Sequence, residues 1–215
     1  MYIAFEGIDG CGKSTQVMAL LKYLKGLDIQ TKRVWEPGST PLAEALRGLL
    51  KSDELDELVV PETEILLFNA ARQQTLHNIV APALKAGKVV VSDRSYLSTR
   101  AYQGYGRGLL QQCSALEAFI PDRLKPELII YLDVDVEEGL KRASVREDLD
   151  RIEQSGLEFF RRVRDCFRTE ALRNPDLVKR VNANQPVEQV WAAIQTIVDN
   201  YLIGLGVLTL QADSV

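Results

Sequence analysis

Short apolar runs alternate with amphipathic segments along the whole chain. The runs Tyr2–Phe5, Lys88–Ser92 and Leu128–Leu132 are apolar at nearly every position, which predicts strands buried on both faces. Two weaker runs, Thr31–Trp35 and Leu177–Val181, predict further strands. Because continuous apolar strands are typical of parallel sheets with helices on both sides, the pattern favours an α/β fold built on about five parallel strands.

The segments between these runs have helical periodicity. The segment after the first strand places Val17, Leu20, Leu21 and Leu24 on one face. Further helical patterns lie at 42–51, 62–85, 94–103, 137–146 and 157–172, and the last helix is predicted from Val187 to Tyr201. No repeat, low-complexity tract or Gly/Ser linker interrupts the chain, so residues 1–215 are predicted to form a single domain.

Composition and charge narrow the class of protein. The chain has 215 residues, of which 46% are hydrophobic and 26% charged, and its formal net charge is −4. This balance disfavours a nucleic-acid partner, and without an uninterrupted apolar run of about 18 residues a membrane span is not predicted. Cys11, Cys113 and Cys166 are widely separated and His77 is the only histidine, which favours reduced thiols and a cytoplasmic location.

The strongest motif is a glycine-rich loop directly after the first strand. Its sequence, Gly7-Ile8-Asp9-Gly10-Cys11-Gly12-Lys13-Ser14, matches G-x-x-x-x-G-K-[ST] and leads into the first amphipathic helix. Glycines let backbone N–H groups turn towards phosphate oxygens, and the helix N-terminus adds its positive dipole end. We therefore predict a P-loop NTPase fold in which Lys13 reaches the β- and γ-phosphates and the Ser14 hydroxyl binds Mg²⁺. The other predicted nucleotide contacts are Gly7, Gly10, Cys11, Gly12 and Thr15.

A P-loop alone leaves several classes of protein open. A regulatory GTPase needs a guanine-reading Asn-Lys-x-Asp segment, which this sequence lacks. A motor or transport ATPase is normally a larger chain. Both observations favour a kinase, but neither identifies its acceptor.

Further motifs follow the P-loop in order. They are Glu36-Pro37-Gly38-Ser39-Thr40, Phe68-Asn69-Ala70-Ala71-Arg72, Asp93-Arg94-Ser95, Ser98-Thr99-Arg100-Ala101-Tyr102-Gln103-Gly104, Gly106-Arg107-Gly108 and Tyr131-Leu132-Asp133-Val134. With these motifs the chain, from its first strand to about residue 154, resembles the bacterial thymidylate kinases, P-loop enzymes that transfer a phosphoryl group from ATP to dTMP. It departs from their pattern at Trp35, where arginine is usual, and at Ser95, where tyrosine or histidine is usual.

The resemblance implies an acceptor site. Phe68 would stack on thymine and Arg72, on the same helix face, would bind a ring carbonyl, although the pattern alone favours a core position for Phe68. Arg47 would clamp the acceptor phosphate, whereas the ordinary alternative is a surface arginine. By the same resemblance, Asp9 would accept a hydrogen bond from the sugar 3′-hydroxyl and Tyr102 would crowd the 2′ position. The other implied acceptor residues are Glu36, Arg94, Ser98 and Gln103.

The resemblance also implies catalytic groups and a homodimer. Asp93 would act near Mg²⁺, or alternatively serve as a helix N-cap, and Arg94 would bridge the donor and acceptor phosphates. The charged segment at 141–154 is predicted to be a lid over ATP. Because the P-loop contains no arginine, a lid arginine would neutralise the transferring phosphoryl group. The candidates are Arg146, Arg142 and, third, Arg151.

Two alternative functions stay open at this level. The acceptor could be another nucleoside monophosphate, or a deoxynucleoside whose 5′-hydroxyl would need a base such as Glu36. A non-catalytic nucleotide-binding switch would instead bind ATP tightly, with turnover unaffected by any monophosphate.

Overall fold

A computed structural model describes residues 1–52, 56–145 and 151–208. The strands are β1 (Tyr2–Glu6), β2 (Thr31–Trp35), β3 (Val89–Asp93), β4 (Leu128–Asp133) and β5 (Val178–Asn182). They form one parallel sheet in the order β2-β3-β1-β4-β5. The predicted α/β fold with five parallel strands is therefore confirmed. The single-domain boundary at 1–215 stays a prediction.

The helices also follow the predicted order. They are α1 (Lys13–Gly26), α2 (Pro41–Lys51), α3 (Pro61–Thr75), α4 (Ala81–Lys85), α5 (Tyr96–Thr99), α6 (Leu110–Glu117), α7 (Val136–Ser144), α8 (Leu157–Arg173) and α9 (Val187–Gly204). The predicted helix at 62–85 is divided by a π-helical turn, Leu76–Val80, and the one at 94–103 continues as a π-helical stretch, Arg100–Gly106. Helix α6 was not predicted, because it buries only Cys113 and so lacks a clear apolar face. Within the described ranges, no helix is both long and apolar enough to cross a membrane.

The helices cover both faces of the sheet. The connection from β1 to β2 runs in one direction along the sheet, whereas the connections β2–β3, β3–β4 and β4–β5 run in the other. Right-handed crossovers that run in opposite directions lie on opposite faces, so α1 is separated by the sheet from the helices α2 to α8. Helix α9 packs against α1, where the rings of Tyr23 and Trp191 meet edge to face at 5.7 Å.

The register of the strands brings their carboxyl ends to one edge. Phe5 of β1 and Trp35 of β2 both pair with Asp93 of β3. The chain therefore enters the P-loop at the same level at which it leaves β2 and β3. Since β1 and β4 are buried at every position, the loops at this edge start from a rigid base.

A buried carboxylate at the end of β4 connects this strand to α8 and β5. Asp133, at the end of β4, is 2% exposed and accepts hydrogen bonds from Arg164, Arg168, Arg180 and the hydroxyl of Tyr131. Burial raises the pKa of Asp133, but the hydrogen bonds and charges of these groups outweigh it and leave the pKa lowered. The ionised carboxylate is thus at the centre of the contact between β4, α8 and β5.

We expect Asp133→Asn to lower the free energy of unfolding by about 3 kcal/mol, because the three arginines lose the charge that they share. Since the folded pKa is lowered, this stabilisation is present above the pKa of an unfolded aspartate, about 4, and is lost as the pH falls through the folded value. Urea unfolding at several pH values measures both effects. Asp135→Asn, which removes one exposed ion pair with Arg164, is the matched control and should cost less than about 1 kcal/mol. Equal losses in the two variants would contradict the special role of Asp133.

Candidate active site

The P-loop leaves β1 at Gly7 and ends where α1 begins at Lys13. Gly7 has a φ of 142° and Gly10 a φ of 76°, values that favour glycine. A Cβ on Gly7 would lie 2.6 Å from the carbonyl oxygen of Leu132, and one on Gly10 would lie 1.9 Å from that of Gly139. Glycine is therefore required at both positions, and the loop presents bare backbone, the form that a phosphate cradle needs.

Lys13 is folded onto this loop. Its Nζ donates hydrogen bonds to the carbonyl oxygens of Gly7 (3.0 Å) and Ile8 (2.9 Å), and the residue is 7% exposed. The cation is therefore held inside the cradle in which a phosphate would bind. The Cys11 thiol lies 3.6 Å from Nζ, and burial raises its pKa, which opposes a reactive thiolate.

Ser14 and Asp93 are in contact at the start of α1. The Ser14 hydroxyl donates to Oδ2 of Asp93 at 2.8 Å. A hydroxyl and a carboxylate oxygen fit Mg²⁺, which keeps several waters and takes further ligands from substrate phosphates. In the part of the chain that the structure describes, no group of three His, Cys, Asp or Glu side chains is arranged to hold a metal by itself.

Arg94 connects the P-loop to the predicted sugar site. Its Nη2 donates to Oδ1 of Asp9 at 2.5 Å, and its guanidinium lies 4.8 Å from the ring centre of Tyr102. The Tyr102 hydroxyl donates to Oδ2 of Asp9 at 2.7 Å. Burial raises the pKa of Asp9, but the charges of Arg94 and Lys13 and the bond from Tyr102 outweigh it and leave the pKa lowered. Asp9 is therefore a carboxylate stabilised beside a site for anions.

Arg72 lies between Glu36 and the turn after β3. It is 3% exposed, and its Nε donates to Oε2 of Glu36 at 2.6 Å. Its Nη1 donates to Asn69 Oδ1 (3.2 Å) and Thr99 Oγ1 (2.9 Å), and its Nη2 donates to the carbonyl oxygen of Ser95 (3.0 Å). These bonds use four of the five N–H groups of the guanidinium and leave one Nη2 hydrogen for a ligand.

A cavity of about 670 Å³ joins these groups. Phe68 is half-buried at its wall, Arg47 lines it while donating to the carbonyl oxygen of Pro37 (2.9 Å), and Gln103 lines it while donating to Glu64 (2.8 Å). The other predicted acceptor residues also line it, namely Asp9, Glu36, Arg72, Arg94, Ser98 and Tyr102. Of the predicted nucleotide and metal residues, the lining includes Gly10, Gly12, Lys13, Ser14, Thr15 and Asp93, whereas Gly7 and Cys11 do not line the cavity.

Comparison with known proteins assigns the family. A family model described as thymidylate kinase matches residues 5–194. The chain is 44% identical over 201 residues to the thymidylate kinase of Pseudoalteromonas translucida, covering 93% of this chain and 96% of that protein. It is 45% identical over 202 residues to that of Alteromonas mediterranea, covering 94% and 90%. The crystal structure of thymidylate kinase from Ehrlichia chaffeensis superposes with a TM-score of 0.74 at 31% identity, over 92% of this chain and 98% of that one. The chain belongs to the thymidylate kinase family.

In this thymidylate kinase family member, the structure describes two of the three arginines predicted for the lid, Arg142 and Arg151. Arg142 lines the cavity, where its Nε donates to Glu138 (2.8 Å) and its Nη1 to the carbonyl oxygen of Ala183 (3.1 Å). Arg146 lies outside the described residues. Arg151 donates to Oε2 of Glu64 at 2.7 Å and to the carbonyl oxygen of Leu50 at 3.4 Å, and it does not line the cavity.

The two departures from the thymidylate kinase pattern have structural explanations. The indole of Trp35 donates to Oε1 of Glu44 at 2.7 Å, and the guanidinium of Arg33 lies 5.5 Å from its ring centre. Arg33 lines the cavity, so a cation remains on this wall although position 35 is not arginine. Ser95 caps α5, where its hydroxyl accepts from the N–H of Leu97 while donating to Glu6.

Two buried carboxylates beside the cavity were missed from the sequence. Glu6 ends β1 and contacts the turn after β3, and Glu64 of α3 accepts bonds from Gln103, Arg107 and Arg151. Glu6 had a usable signal, because it interrupts an otherwise apolar strand directly before the P-loop. Glu64 is the last residue of a surface-like Pro-Glu-Thr-Glu segment and had none.

Proposed function

We propose that the cavity between the P-loop and Phe68 is where this family member transfers the γ-phosphoryl group of ATP to dTMP, giving dTDP and ADP. The observation that carries this proposal is that one cavity holds both a phosphate cradle with Lys13 and an aromatic–arginine pair, Phe68 and Arg72. The cradle with Lys13 suits the phosphates of the donor, and the pair of Phe68 and Arg72 suits a pyrimidine base. Arg94 lies between them, within bonding distance of the P-loop carbonyl of Gly7 (3.3 Å) and of Asp9.

On the donor side, the P-loop would hold the phosphates of ATP and Lys13 would move from the Gly7 and Ile8 carbonyls to the β- and γ-phosphates. Ser14, with Asp93 through water, would hold Mg²⁺, which when bound screens the charge of the phosphates. Arg142, which lines the same cavity, would approach the γ-phosphate, and Arg146 stays a sequence-based candidate.

On the acceptor side, the attacking atom would be a phosphate oxygen of dTMP, which is already ionised at neutral pH. The reaction therefore needs no general base. Arg47 and Arg94 would position this phosphate and reduce its repulsion from ATP, and Asp9 with Tyr102 would meet the sugar. Phe68 would stack on the thymine ring, with Arg72, Gln103 and Ser98 at its polar edge. Catalysis then consists of positioning and charge neutralisation.

The same contacts weigh against the alternatives. A deoxynucleoside kinase would use Glu36 as a base, but Oε2 of Glu36 already accepts a hydrogen bond from the Arg72 guanidinium at 2.6 Å, so this oxygen is held by a fixed partner rather than directed at a 5′-hydroxyl. A non-catalytic switch has no use for a second site that is lined by Phe68, Arg72 and Arg47. Both observations support a monophosphate acceptor.

The test is release of ADP from Mg-ATP in the presence of dTMP, dUMP, other nucleoside monophosphates or thymidine. Preferred turnover of dTMP, abolished by a chelator and restored by Mg²⁺, supports the proposal. Turnover with thymidine alone would overturn the acceptor assignment. ATP binding without turnover of any acceptor would favour the switch.

We also propose a cytoplasmic homodimer, with the second copy seated on α3 and the segment after α6. Leu66 (58% exposed) and Ala70 lie on one face of α3, and Phe119 (73% exposed) lies beside this face, where its carbonyl accepts from Gln73. Exposed apolar side chains grouped in this way are typical of an interface. The three cysteines are free thiols, which suits a reducing compartment.

We expect Leu66→Glu to convert the dimer to a monomer, because the charge would be buried against a second copy of itself. Light scattering after size-exclusion chromatography at micromolar concentration measures the mass. Met18→Glu, at a similarly exposed apolar residue of α1 on the opposite face of the sheet, is the control and should leave the mass unchanged. A monomeric parent chain, or a dimer in both variants, would refute this interface.

A further inference from the structure

Arg94 occupies a strained backbone conformation. Its φ is +76°, in the left-handed region that residues with a Cβ rarely adopt. Within the described residues only Asp28 and Ser39 share this property among the non-glycine residues, and neither follows a core strand. A strained residue at a site of chemistry persists only when its surroundings hold it in place.

The carboxylate of Glu6 holds the turn that follows Arg94. Glu6 is fully buried, and its Oε1 accepts hydrogen bonds from the backbone N–H groups of Ser95 (2.7 Å) and Ser98 (3.2 Å) and from the Ser95 hydroxyl (2.8 Å). Its Oε2 accepts from the Ser98 hydroxyl at 2.6 Å. One side chain of β1 therefore fixes the backbone immediately after Arg94 and that of the first turn of α5.

These bonds also determine the orientation of the Ser98 hydroxyl. A serine hydroxyl has one proton, and Ser98 donates it to Glu6. Its oxygen is then free to accept from Nη1 of Arg94, which lies at 3.2 Å. Glu6 is thus linked to the Arg94 guanidinium through a single hydroxyl, while Asp9 binds the other end of the same guanidinium.

We propose that Glu6 is a positioning residue for phosphoryl transfer, which acts by locking the strained Arg94 turn and orienting Ser98 so that the guanidinium points between the two substrates. Glu6 faces Ser95 and Ser98 and does not line the cavity. This inference rests on the proposed function, because it assigns to Arg94 the acceptor and donor phosphates as ligands.

Glutamine cannot reproduce this arrangement, although it has almost the same shape. All four partners of Glu6 are donors, and a glutamine amide offers one acceptor oxygen and one donor NH₂ group. With the nitrogen towards Ser98, the hydroxyl must turn and present its proton to Arg94. With the nitrogen towards Ser95, two backbone N–H groups face another donor. Either orientation loosens the turn.

The first experiment compares Glu6→Gln with the parent enzyme in steady-state kinetics. We expect kcat to fall on the order of 10²-fold, as for a displacement of a catalytic group by about 1 Å, while the KM for ATP changes less than about twofold. Glu170→Gln is the matched control, since Glu170 is a buried glutamate of α8 (6% exposed) that binds Arg100, and the kcat of this variant should stay within about twofold of the parent. An equal decrease of kcat in both variants, or an increase of the KM for ATP without a decrease of kcat in Glu6→Gln, would overturn the inference.

The second experiment is a double-mutant cycle with Arg94→Lys. If Glu6 acts through Arg94, then Glu6→Gln should cause almost no further loss of kcat in the Arg94→Lys background. Multiplicative losses would refute the coupling and assign Glu6 to general stability. Failure of the parent enzyme to phosphorylate dTMP would refute the proposed function instead, so the two failures are distinguishable.

Discussion

Lys13→Ala is expected to lower kcat for dTMP phosphorylation by about 10³-fold or more, the loss typical of removing a group aimed at transition-state charge. Lys13 is the P-loop cation, and it already lies within the cradle, bound to the carbonyl oxygens of Gly7 and Ile8. Its ammonium group can follow the γ-phosphoryl oxygens as their charge changes, and alanine leaves nothing in its place. Single-turnover measurement of phosphoryl transfer isolates this step from product release.

Lys22→Ala is the control for this experiment. Lys22 lies on the same helix, α1, but is exposed and away from the cavity, so its loss should leave kcat unchanged. Binding of dTMP to Lys13→Ala, measured by calorimetry, should remain near that of the parent enzyme. Retained kcat in Lys13→Ala would show that the P-loop is not the donor site.

Arg72→Ala is expected to weaken dTMP binding by about 10²-fold or more, because a buried, prepositioned guanidinium is lost and Glu36 is left without its partner. ATP binding should change less than about threefold, since Arg72 contacts Glu36, Asn69 and the turn after β3 rather than the P-loop. Separate calorimetric titrations with dTMP and with a non-hydrolysable ATP analogue give the two affinities.

Arg72→Ala should also destabilise the fold, so a second arginine variant is needed. Arg100→Ala breaks two ion pairs, with Glu117 and Glu170, and Arg100 does not line the main cavity. It should lower the melting temperature while leaving dTMP affinity near that of the parent enzyme. Equal losses of ATP and dTMP affinity in Arg72→Ala would contradict its assignment to the base.

Arg72 and Arg94 are both held in place by ion pairs before any ligand binds. Each guanidinium is bound to a carboxylate, Arg72 to Glu36 and Arg94 to Asp9. A paired guanidinium is held in one orientation and presents only its remaining N–H groups to a ligand. We infer that these pairs lower the conformational freedom of the site before either nucleotide binds, which reduces the entropy lost on binding.

The order of elements, the parallel sheet and the P-loop were predictable from the sequence alone, because they depend on local patterns. Tyr2–Phe5 and Leu128–Leu132 are apolar at every position, which only a strand buried on both faces requires. The glycines and Lys13 of the P-loop are contiguous in the chain, so their spacing alone specifies the cradle. The acceptor residues could be named only through resemblance to a family, since each is, by residue type, an ordinary surface or core residue.

Tertiary structure decided which of these residues contact one another. The resemblance predicts that Ser98 helps to hold the base, but only the structure shows that its proton goes to Glu6, 92 residues away in sequence, and that its oxygen accepts from Arg94. Likewise, only the structure shows that Arg151, the third lid candidate, binds Glu64. Hydrogen-bond partners of this kind depend on the register of β1 against β3 and on the packing of α3 beside the π-helical stretch at Arg100–Gly106. The local sequence determines which residues are buried. The partners of buried polar groups are determined only when folding brings distant elements together.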